Sequence, residues 1–222
     1  MHGKADASTI PRGFRNTMTH IRSPFVQIYR INALRFSAGI AFCLLAVTSA
    51  PPAFPLVSAV LELVGTLAIF VAIAGRGWSL LYIGGRKNSE LVTTGPYSIS
   101  RNPLYFFSLL GIAGIGAQTG SVLSMLILVA VAWLAFDMAM RGEDAYLGSR
   151  YGIGFDEYKA SVPRLLPKLS LWRECDDLPL RSAQAIGSLR DGAVFLGAWA
   201  VVELIRIMQT MGLLPALWSL PV

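Results

Sequence analysis

The sequence contains little charge. Only 14% of its 222 residues are Asp, Glu, Lys or Arg, whereas soluble domains carry about 25%. Residues 36–61, 63–75 and 102–136 include no charged side chain. Hydrophobic residues make up 54% of the chain, and the mean hydropathy is +0.56. This composition excludes a disordered chain and indicates an integral membrane protein.

Cysteine and histidine are also scarce, with two of each. Cys43 lies in an apolar run and Cys175 in a polar segment, which excludes a disulfide-stapled scaffold. His2 and His20 both precede the first apolar run, and no Cys/His spacing fits zinc. A phosphate-binding glycine loop of the Walker type is missing too. We therefore expect no metal site.

The apolar runs predict five transmembrane helices, because a helix needs about 20 mostly apolar residues to cross a bilayer. The predicted spans are 34–50, 54–74, 104–117, 121–140 and 192–211. Pro51-Pro52 and Gln118-Thr119-Gly120 predict short turns that join the first four spans into two helical hairpins. The predicted fold class is an all-α, polytopic membrane protein with short cytoplasmic helices after the fourth span.

The basic residues predict the orientation. Of the 19 Lys and Arg residues, all but Arg206 lie at or before the start of span 1, between spans 2 and 3, or between spans 4 and 5. By the positive-inside rule, the N-terminus and residues 75–103 and 141–190 face the cytoplasm, and the C-terminus lies outside. The net charge of +6 therefore reflects membrane orientation, and we expect no nucleic-acid partner.

Three regions follow from this arrangement. Residues 1–33 form a basic cytoplasmic arm, which either contacts the anionic headgroups of membrane lipids or is disordered. Residues 34–168 form the membrane core. Residues 169–222 form a cytoplasmic linker and the fifth span.

The fifth span carries two charged residues, Glu203 and Arg206, three positions apart. Charges in a membrane helix are costly unless they are paired. We predict that they pair with each other or with Glu62 of span 2. The cluster then acts either as a structural clamp or as a substrate contact.

The remaining polar residues form motifs at the cytoplasmic ends of the spans, and each has a purely structural interpretation. Asn102-Pro103 is a good start for a helix. In the structural interpretation, Glu143 and Asp144 are ordinary solvated charges on a helix that leaves the membrane, and Arg164 anchors the chain to lipid headgroups. The aromatic residues at 151, 155 and 158 recur as one packed face of an amphipathic helix.

Taken together and in order, these motifs resemble the isoprenylcysteine carboxyl methyltransferase and phospholipid methyltransferase superfamily. The matching segments are Leu91–Tyr97, Arg101–Pro103, Glu143–Gly152, Phe155 with Tyr158, and Val162–Pro167. The resemblance covers about residues 60–168. It implies methyl transfer from S-adenosyl-L-methionine to a lipophilic small molecule or lipidated substrate at the cytoplasmic face.

The resemblance also assigns residues by position. A cofactor wall is implied at Ser89, Glu90, Leu91, Val92 and Tyr97. Cofactor contacts and catalytic roles are implied for Arg101, Asn102 and Glu143, with Arg101 facing the cofactor carboxylate. Substrate contacts are implied for Tyr105, Asp144 and Arg164.

Two positions depart from the superfamily pattern. Asn102 stands where the family usually has His, which removes a protonatable ring but keeps a hydrogen-bonding side chain. Asp144 replaces the second Glu of a Glu-Glu pair. A prenylcysteine-like carboxylate acceptor and the amine of a phospholipid both stay open. Two other functions also stay open. One is a reductase of the steroid 5α-reductase type that uses NADPH, and the other is a non-catalytic relative that binds lipid.

Overall fold

The computed structural model describes residues 48–49, 55–83, 90–175, 182–214 and 218–219. These residues are mostly helical, in agreement with the all-α prediction. The helices are α1 (Pro55–Ile83), α2 (Pro96–Ile99), α3 (Pro103–Ala117), α4 (Val122–Tyr151), α5 (Ile153–Ser161) and α6 (Ser182–Thr210). A 3-10 turn follows α5 at Leu169–Leu171.

The α3–α4 hairpin follows the predicted boundaries. Helix α3 begins at Pro103 and ends before a turn at Gln118–Gly120. Helix α4 then begins after Ser121, whose hydroxyl accepts a hydrogen bond from the Ser124 backbone N–H, a standard N-terminal cap. This hairpin prediction is confirmed.

Three helices are longer than the apolar runs that predicted them. Helix α1 continues nine residues past Ala74, α4 continues eleven residues past Met140, and α6 begins ten residues before Gly192. The added residues mix polar, charged and apolar side chains, so the apolar run stops although the helix continues. As a result Glu143 and Asp144 lie on a helix that extends beyond the predicted span.

Helix α4 ends at Gly152, which has φ of +53°. This left-handed conformation favours glycine, and it separates Tyr151 from the helix that carries Phe155 and Tyr158. The predicted single helical face is therefore divided between two helices, although the three aromatic side chains still pack in one cluster.

Most of predicted span 1 and the turn at Pro51-Pro52 lie outside the described residues. At the end of that span the helix prediction is wrong, because Thr48–Ser49 form a two-residue strand, β1, paired in parallel with β2 at Trp218–Ser219. The pairing brings the chain before α1 next to the tail after α6.

Small residues let the helices approach closely. A side chain at Gly65 of α1 would lie 2.7 Å from the Gly114 carbonyl of α3, so these two backbones are in contact, as is common in membrane bundles. Helix α6 packs on the same pair, with Phe195 against Gly111 and Val202 near Ile115. The core of the bundle is therefore α1, α3, α4 and α6.

Two described helices, α1 and α4, are long and apolar enough to cross a membrane, and α3 is a shorter apolar helix. Both long helices are largely exposed rather than buried. Large apolar side chains such as Leu63, Leu67 and Phe70 face outward from α1. An exposed apolar surface of this extent is unlike a core helix of a soluble protein and fits a membrane protein.

Glu203 and Arg206 of α6 pair as predicted. Arg206 Nη2 lies 2.9 Å from Glu62 Oε1 of α1, and Arg206 Nη1 lies 3.4 Å from Glu203 Oε1. Nearby, the Gln118 amide donates to the Glu62 carbonyl and to Thr66 Oγ1. We call the residues Glu62, Glu203 and Arg206 the α1–α6 clamp.

Candidate functional site

The candidate site lies under a segment that we call the strap, residues 162–173. The strap runs beside residues 95–102 and is held there by hydrogen bonds from end to end. The paired atoms are Arg101 N with Pro163 O (2.9 Å), Ser100 Oγ with Leu165 O (2.8 Å), Lys168 N with Ile99 O (2.9 Å) and Gly95 N with Arg173 O (2.8 Å). The strap therefore fixes the chain that leads into α3.

Gly95 shapes the entry to this segment. Its φ is +59°, and a Cβ there would clash with the ring of Tyr82, so both conformation and space require glycine. Pro96 then opens the single turn α2, and the Ser98 hydroxyl donates to the Gly95 carbonyl at 2.7 Å. This compact turn carries Tyr97 into the interior, where it is 6% exposed.

Two arginines of the site are neutralised by two aspartates of α4. Arg101 Nη1 donates to both carboxylate oxygens of Asp144 at 3.0 and 3.1 Å. Arg164 Nη1 donates to Asp137 Oδ1 at 2.8 Å, and its Nε lies 3.9 Å from Asp144. The two aspartates are seven residues apart and so share one face of the helix. The longer α4 thus joins the strap and the start of α3.

Tyr97 and Glu143 differ from these ion pairs, because their side chains have no hydrogen-bond or ion-pair partner among the residues that the structure describes. The Tyr97 hydroxyl is buried without a hydrogen-bond partner, although the Tyr97 carbonyl accepts from the Tyr158 hydroxyl at 2.7 Å. Within the described part of the chain, the half-buried Glu143 makes neither a hydrogen bond nor an ion pair. A buried hydroxyl without a partner is destabilising, and one explanation for keeping it is a role in binding or catalysis.

The same surroundings shift the titration of both tyrosines. Burial, with the Glu143 carboxylate and the Tyr158 hydroxyl nearby, raises the pKa of Tyr97 well above its usual value. Burial also raises the pKa of Tyr158, while the Arg101 guanidinium opposes the shift. Tyr97 therefore keeps its proton and offers a neutral hydroxyl donor at physiological pH.

Asn102 does more than start α3. Its carbonyl accepts from the backbone of residues 105 and 106, as a helix start requires, but its side chain makes no capping hydrogen bond. Instead, the amide Nδ2 donates to the Arg164 carbonyl at 2.9 Å, and the residue is 7% exposed. Asn102 thus ties the start of α3 to the strap, a contact that a ring N–H of His is also able to make.

Arg76 was missed from the sequence, where it reads as the basic flank of an apolar run. Because α1 continues past it, Arg76 reaches α3, and its Nη1 donates to the Leu104 carbonyl and the Ser108 hydroxyl. Its guanidinium lies 5.7 Å from the ring centroid of Phe195 of α6. Arg76 is also among the charges that act on Tyr97, which places it beside the site.

The structure brings most of the sequence-predicted residues together. Arg101, Asn102, Asp144 and Arg164 are linked by the hydrogen bonds and ion pairs above. Glu143 and Tyr105 are among the groups that act electrostatically on Tyr97. Leu91 packs against the Phe155–Tyr158 cluster, Val92 is half-buried, and Glu90 is exposed. Ser89 lies outside the described residues. The alternative of isolated solvated charges fits Asp144 poorly, since it holds a buried arginine.

Comparison with known proteins gives one family. A model of the phospholipid methyltransferase family matches residues 53–153. The chain is 32% identical over 95 residues to Protein-S-isoprenylcysteine O-methyltransferase of Schizosaccharomyces pombe, which covers 42% of this chain and 40% of that protein. No solved structure matches the chain.

Two bacterial relatives match over a longer range. The nickel-cobalt-cadmium resistance protein NccN of Alcaligenes xylosoxydans xylosoxydans is 39% identical, over 74% of this chain and 77% of that protein. The cobalt-zinc-cadmium resistance protein CzcN of Cupriavidus metallidurans is 38% identical, over 74% of this chain and 76% of that protein.

Proposed function

This chain belongs to the superfamily of membrane methyltransferases that includes phospholipid and isoprenylcysteine methyltransferases, and we propose that it transfers a methyl group from S-adenosyl-L-methionine to a lipophilic acceptor. The observation that carries the proposal is the pair of polar groups without protein partners, the Tyr97 hydroxyl and the Glu143 carboxylate. The arginines and aspartates of the site are engaged in ion pairs. These two groups are available to a ligand, as is the buried Nε of Arg101.

The chemistry of these groups fits the cofactor. Glu143 is able to accept hydrogen bonds from its amine or its ribose hydroxyls, and Tyr97 is able to donate one. Arg101 keeps a buried Nε without a hydrogen bond, so a contact with the cofactor carboxylate uses that atom while Nη1 stays with Asp144. Leu91 complements these groups as an apolar wall.

Bound S-adenosyl-L-methionine supplies an activated methyl group, and the chain supplies alignment and exclusion of water. Asp144 and Asp137 hold Arg101 and Arg164, while Asn102 fixes the strap across the start of α3. These contacts keep the site rigid. In the proposed orientation, this end of the bundle faces the cytoplasm.

The acceptor decides whether a base is required. A lipid carboxylate is already ionised at neutral pH, whereas a phospholipid amine must first lose a proton. Asp144 is engaged by Arg101, so Glu143 is the carboxylate of the site that is able to accept that proton. The free Glu143 therefore keeps phospholipid N-methylation as a second candidate beside a prenylcysteine-like carboxylate.

A transfer assay tests the proposal. Purified protein is incubated with methyl-labelled S-adenosyl-L-methionine and either N-acetyl-S-farnesylcysteine or phosphatidylethanolamine. We expect label in one lipid, reduced about tenfold by Glu143→Ala, as for the loss of a charged hydrogen bond, and unchanged by Glu203→Ala of the clamp. Label in neither lipid, with S-adenosylhomocysteine still bound, contradicts transfer to both proposed acceptor classes and favours the non-catalytic relative. Binding of NADPH instead favours the reductase.

The two longer matches are named for resistance to metal ions. Among the described residues, no group of three or more His, Cys, Asp or Glu side chains is placed to hold a metal ion. We propose that any role shared with these relatives depends on methyl transfer. Expression in a cadmium-sensitive host tests this. We expect the wild-type protein to raise tolerance to cadmium and the Glu143→Ala variant not to raise it. Equal tolerance with both contradicts it.

A further inference from the structure

The strap turns three large apolar side chains outward. Leu166, Leu169 and Trp172 are 72%, 75% and 43% exposed. The backbone that carries them is held in place by its hydrogen bonds to residues 95–102. An exposed apolar patch on a fixed backbone is a contact surface without its partner.

The charge and position of this patch point to its partner. The exposed basic residues Lys168 and Arg173 lie on the same segment. Trp172 stacks on Trp78 of α1, with ring centroids 5.5 Å apart and an interplanar angle of 26°. The patch thus continues the surface of a helix that is long and apolar enough to cross a membrane. Apolar, tryptophan and basic side chains on one exposed segment are typical of segments at the membrane surface.

We propose that the strap is embedded in the lipid headgroup layer beside α1, with Leu166, Leu169 and Trp172 at the acyl boundary and Lys168 and Arg173 against anionic headgroups. Because strap carbonyls hold Arg101 and Asn102, the lipid surface supports the geometry of the site. Arg164 is turned the other way, toward Asp137. The inference does not depend on the reaction proposed above.

Spin-label accessibility tests the depth of the strap. A nitroxide is attached at Leu169→Cys in full-length protein lacking Cys43 and Cys175, in nanodiscs of phosphatidylcholine and phosphatidylglycerol. The matched control is Ser149→Cys, an exposed position on α4 about 14 Å beyond Met140 along the helix. We expect the ratio of oxygen to nickel-chelate accessibility to be about threefold or more higher at 169 than at 149.

Two results overturn the proposal. Equal ratios at the two positions place the strap in water. Low accessibility to both reagents at 169 shows that protein covers the patch, either another segment of this chain or a second copy.

Charge reversal tests the headgroup contact. With Lys168 and Arg173 intact, we expect the ratio of oxygen to nickel-chelate accessibility of the label at 169 to rise about twofold from neutral to anionic nanodiscs. The Lys168→Glu/Arg173→Glu double variant should lose this rise, and Lys159→Glu, an exposed base on α5, should keep it. A rise that survives in the double variant contradicts the role of these two bases.

Discussion

Two clusters of charge lie against apolar helices in the described part of the chain, and they differ in how completely they are paired. In the α1–α6 clamp, Arg206 is shared by Glu62 and Glu203, so every charged group has a partner. In the candidate site, Arg101 and Arg164 are also paired. However, the adjoining Tyr97 hydroxyl and Glu143 carboxylate have no partner among the described residues.

This difference separates a structural role from a functional one. Ion pairs in a membrane bundle join helices, and once complete they leave nothing for a ligand to bind. Polar groups that stay buried without partners lower stability, and a binding site is a common reason to keep them. On this comparison we propose a structural role for the clamp and a ligand-binding role for the Tyr97–Glu143 pair.

The largest expected effect is on stability at the site. Asp144→Ala leaves the Arg101 side chain, 8% exposed, without its carboxylate, and breaking a buried pair costs about 3 kcal/mol. Glu203→Ala in the clamp should cost about 1 kcal/mol or less, because Arg206 keeps Glu62. Denaturant unfolding of both variants in detergent measures the contrast. Equal losses would show that the two clusters do not differ in this way.

Tyr97→Phe separates stability from binding. The variant removes a buried hydroxyl without a partner, so the free energy of unfolding of the ligand-free protein should stay the same or rise. Affinity for S-adenosylhomocysteine should fall about tenfold, as for a lost ligand hydrogen bond. Titration calorimetry and thermal unfolding measure the two quantities.

Tyr158→Phe is the matched control, because its hydroxyl donates to the Tyr97 carbonyl. That variant should lose stability, by about 1 kcal/mol. A Tyr97→Phe variant that is less stable yet binds as well as wild type assigns Tyr97 to structure.

A smaller effect is expected at Asn102. Asn102→His retains a donor for the Arg164 carbonyl, so stability should change by less than about 0.5 kcal/mol, while Asn102→Ala should lose about 1 kcal/mol. Thermal unfolding of both variants tests this. If Asn102→His also raises methyl transfer, the departure from the family pattern affects the reaction. If Asn102→Ala is as stable as wild type, the contact with the strap is unimportant.

The smallest effect concerns pH. Because the folded state raises the pKa of Tyr97 and Tyr158, their contribution to stability is complete below the unfolded tyrosine pKa of about 10. It is lost as the pH rises through the folded values. The unfolding midpoint should therefore be flat from pH 7 to about 9.5 and then fall.

The alkaline fall of the unfolding midpoint should be shallower in the Tyr97→Phe/Tyr158→Phe double variant than in wild type. It should be unchanged in the control variant Tyr146→Phe, which alters a half-buried tyrosine of α4. An identical alkaline fall in all three proteins rules out these two tyrosines as its cause.

The sequence predicted the parts of the fold that depend on local signals. Asn102-Pro103 and Gln118–Gly120 marked both ends of α3 because proline, glycine and capping residues act over a few positions. The clamp was predictable because charges in an apolar span require partners. The order of motifs also identified the residues that meet at the site, from Tyr97 to Arg164.

Other features depend on contacts that a sequence does not display. A helix that leaves the membrane was one interpretation of Glu143 and Asp144, but its end at Tyr151 was not predicted. Hydropathy marks the membrane edge and not the end of a helix. The extension of α4 decides that Asp137 and Asp144 share a face toward two arginines. The hydrogen bonds of the strap and the reach of Arg76 to Ser108 join residues far apart in the chain, and no local pattern encodes them. The number of spans and their orientation stay predictions.

The most direct test of the central claim is thermal stabilisation of the detergent-purified protein by S-adenosylhomocysteine, compared with NADPH. The variants are wild type, Glu143→Ala and the clamp variant Glu203→Ala. We predict that S-adenosylhomocysteine raises the unfolding midpoint of wild type and Glu203→Ala, that Glu143→Ala abolishes the shift, and that NADPH has no effect. Equal stabilisation of Glu143→Ala and wild type, or a shift with NADPH alone, would contradict the assignment of the Tyr97–Glu143 pair to the cofactor.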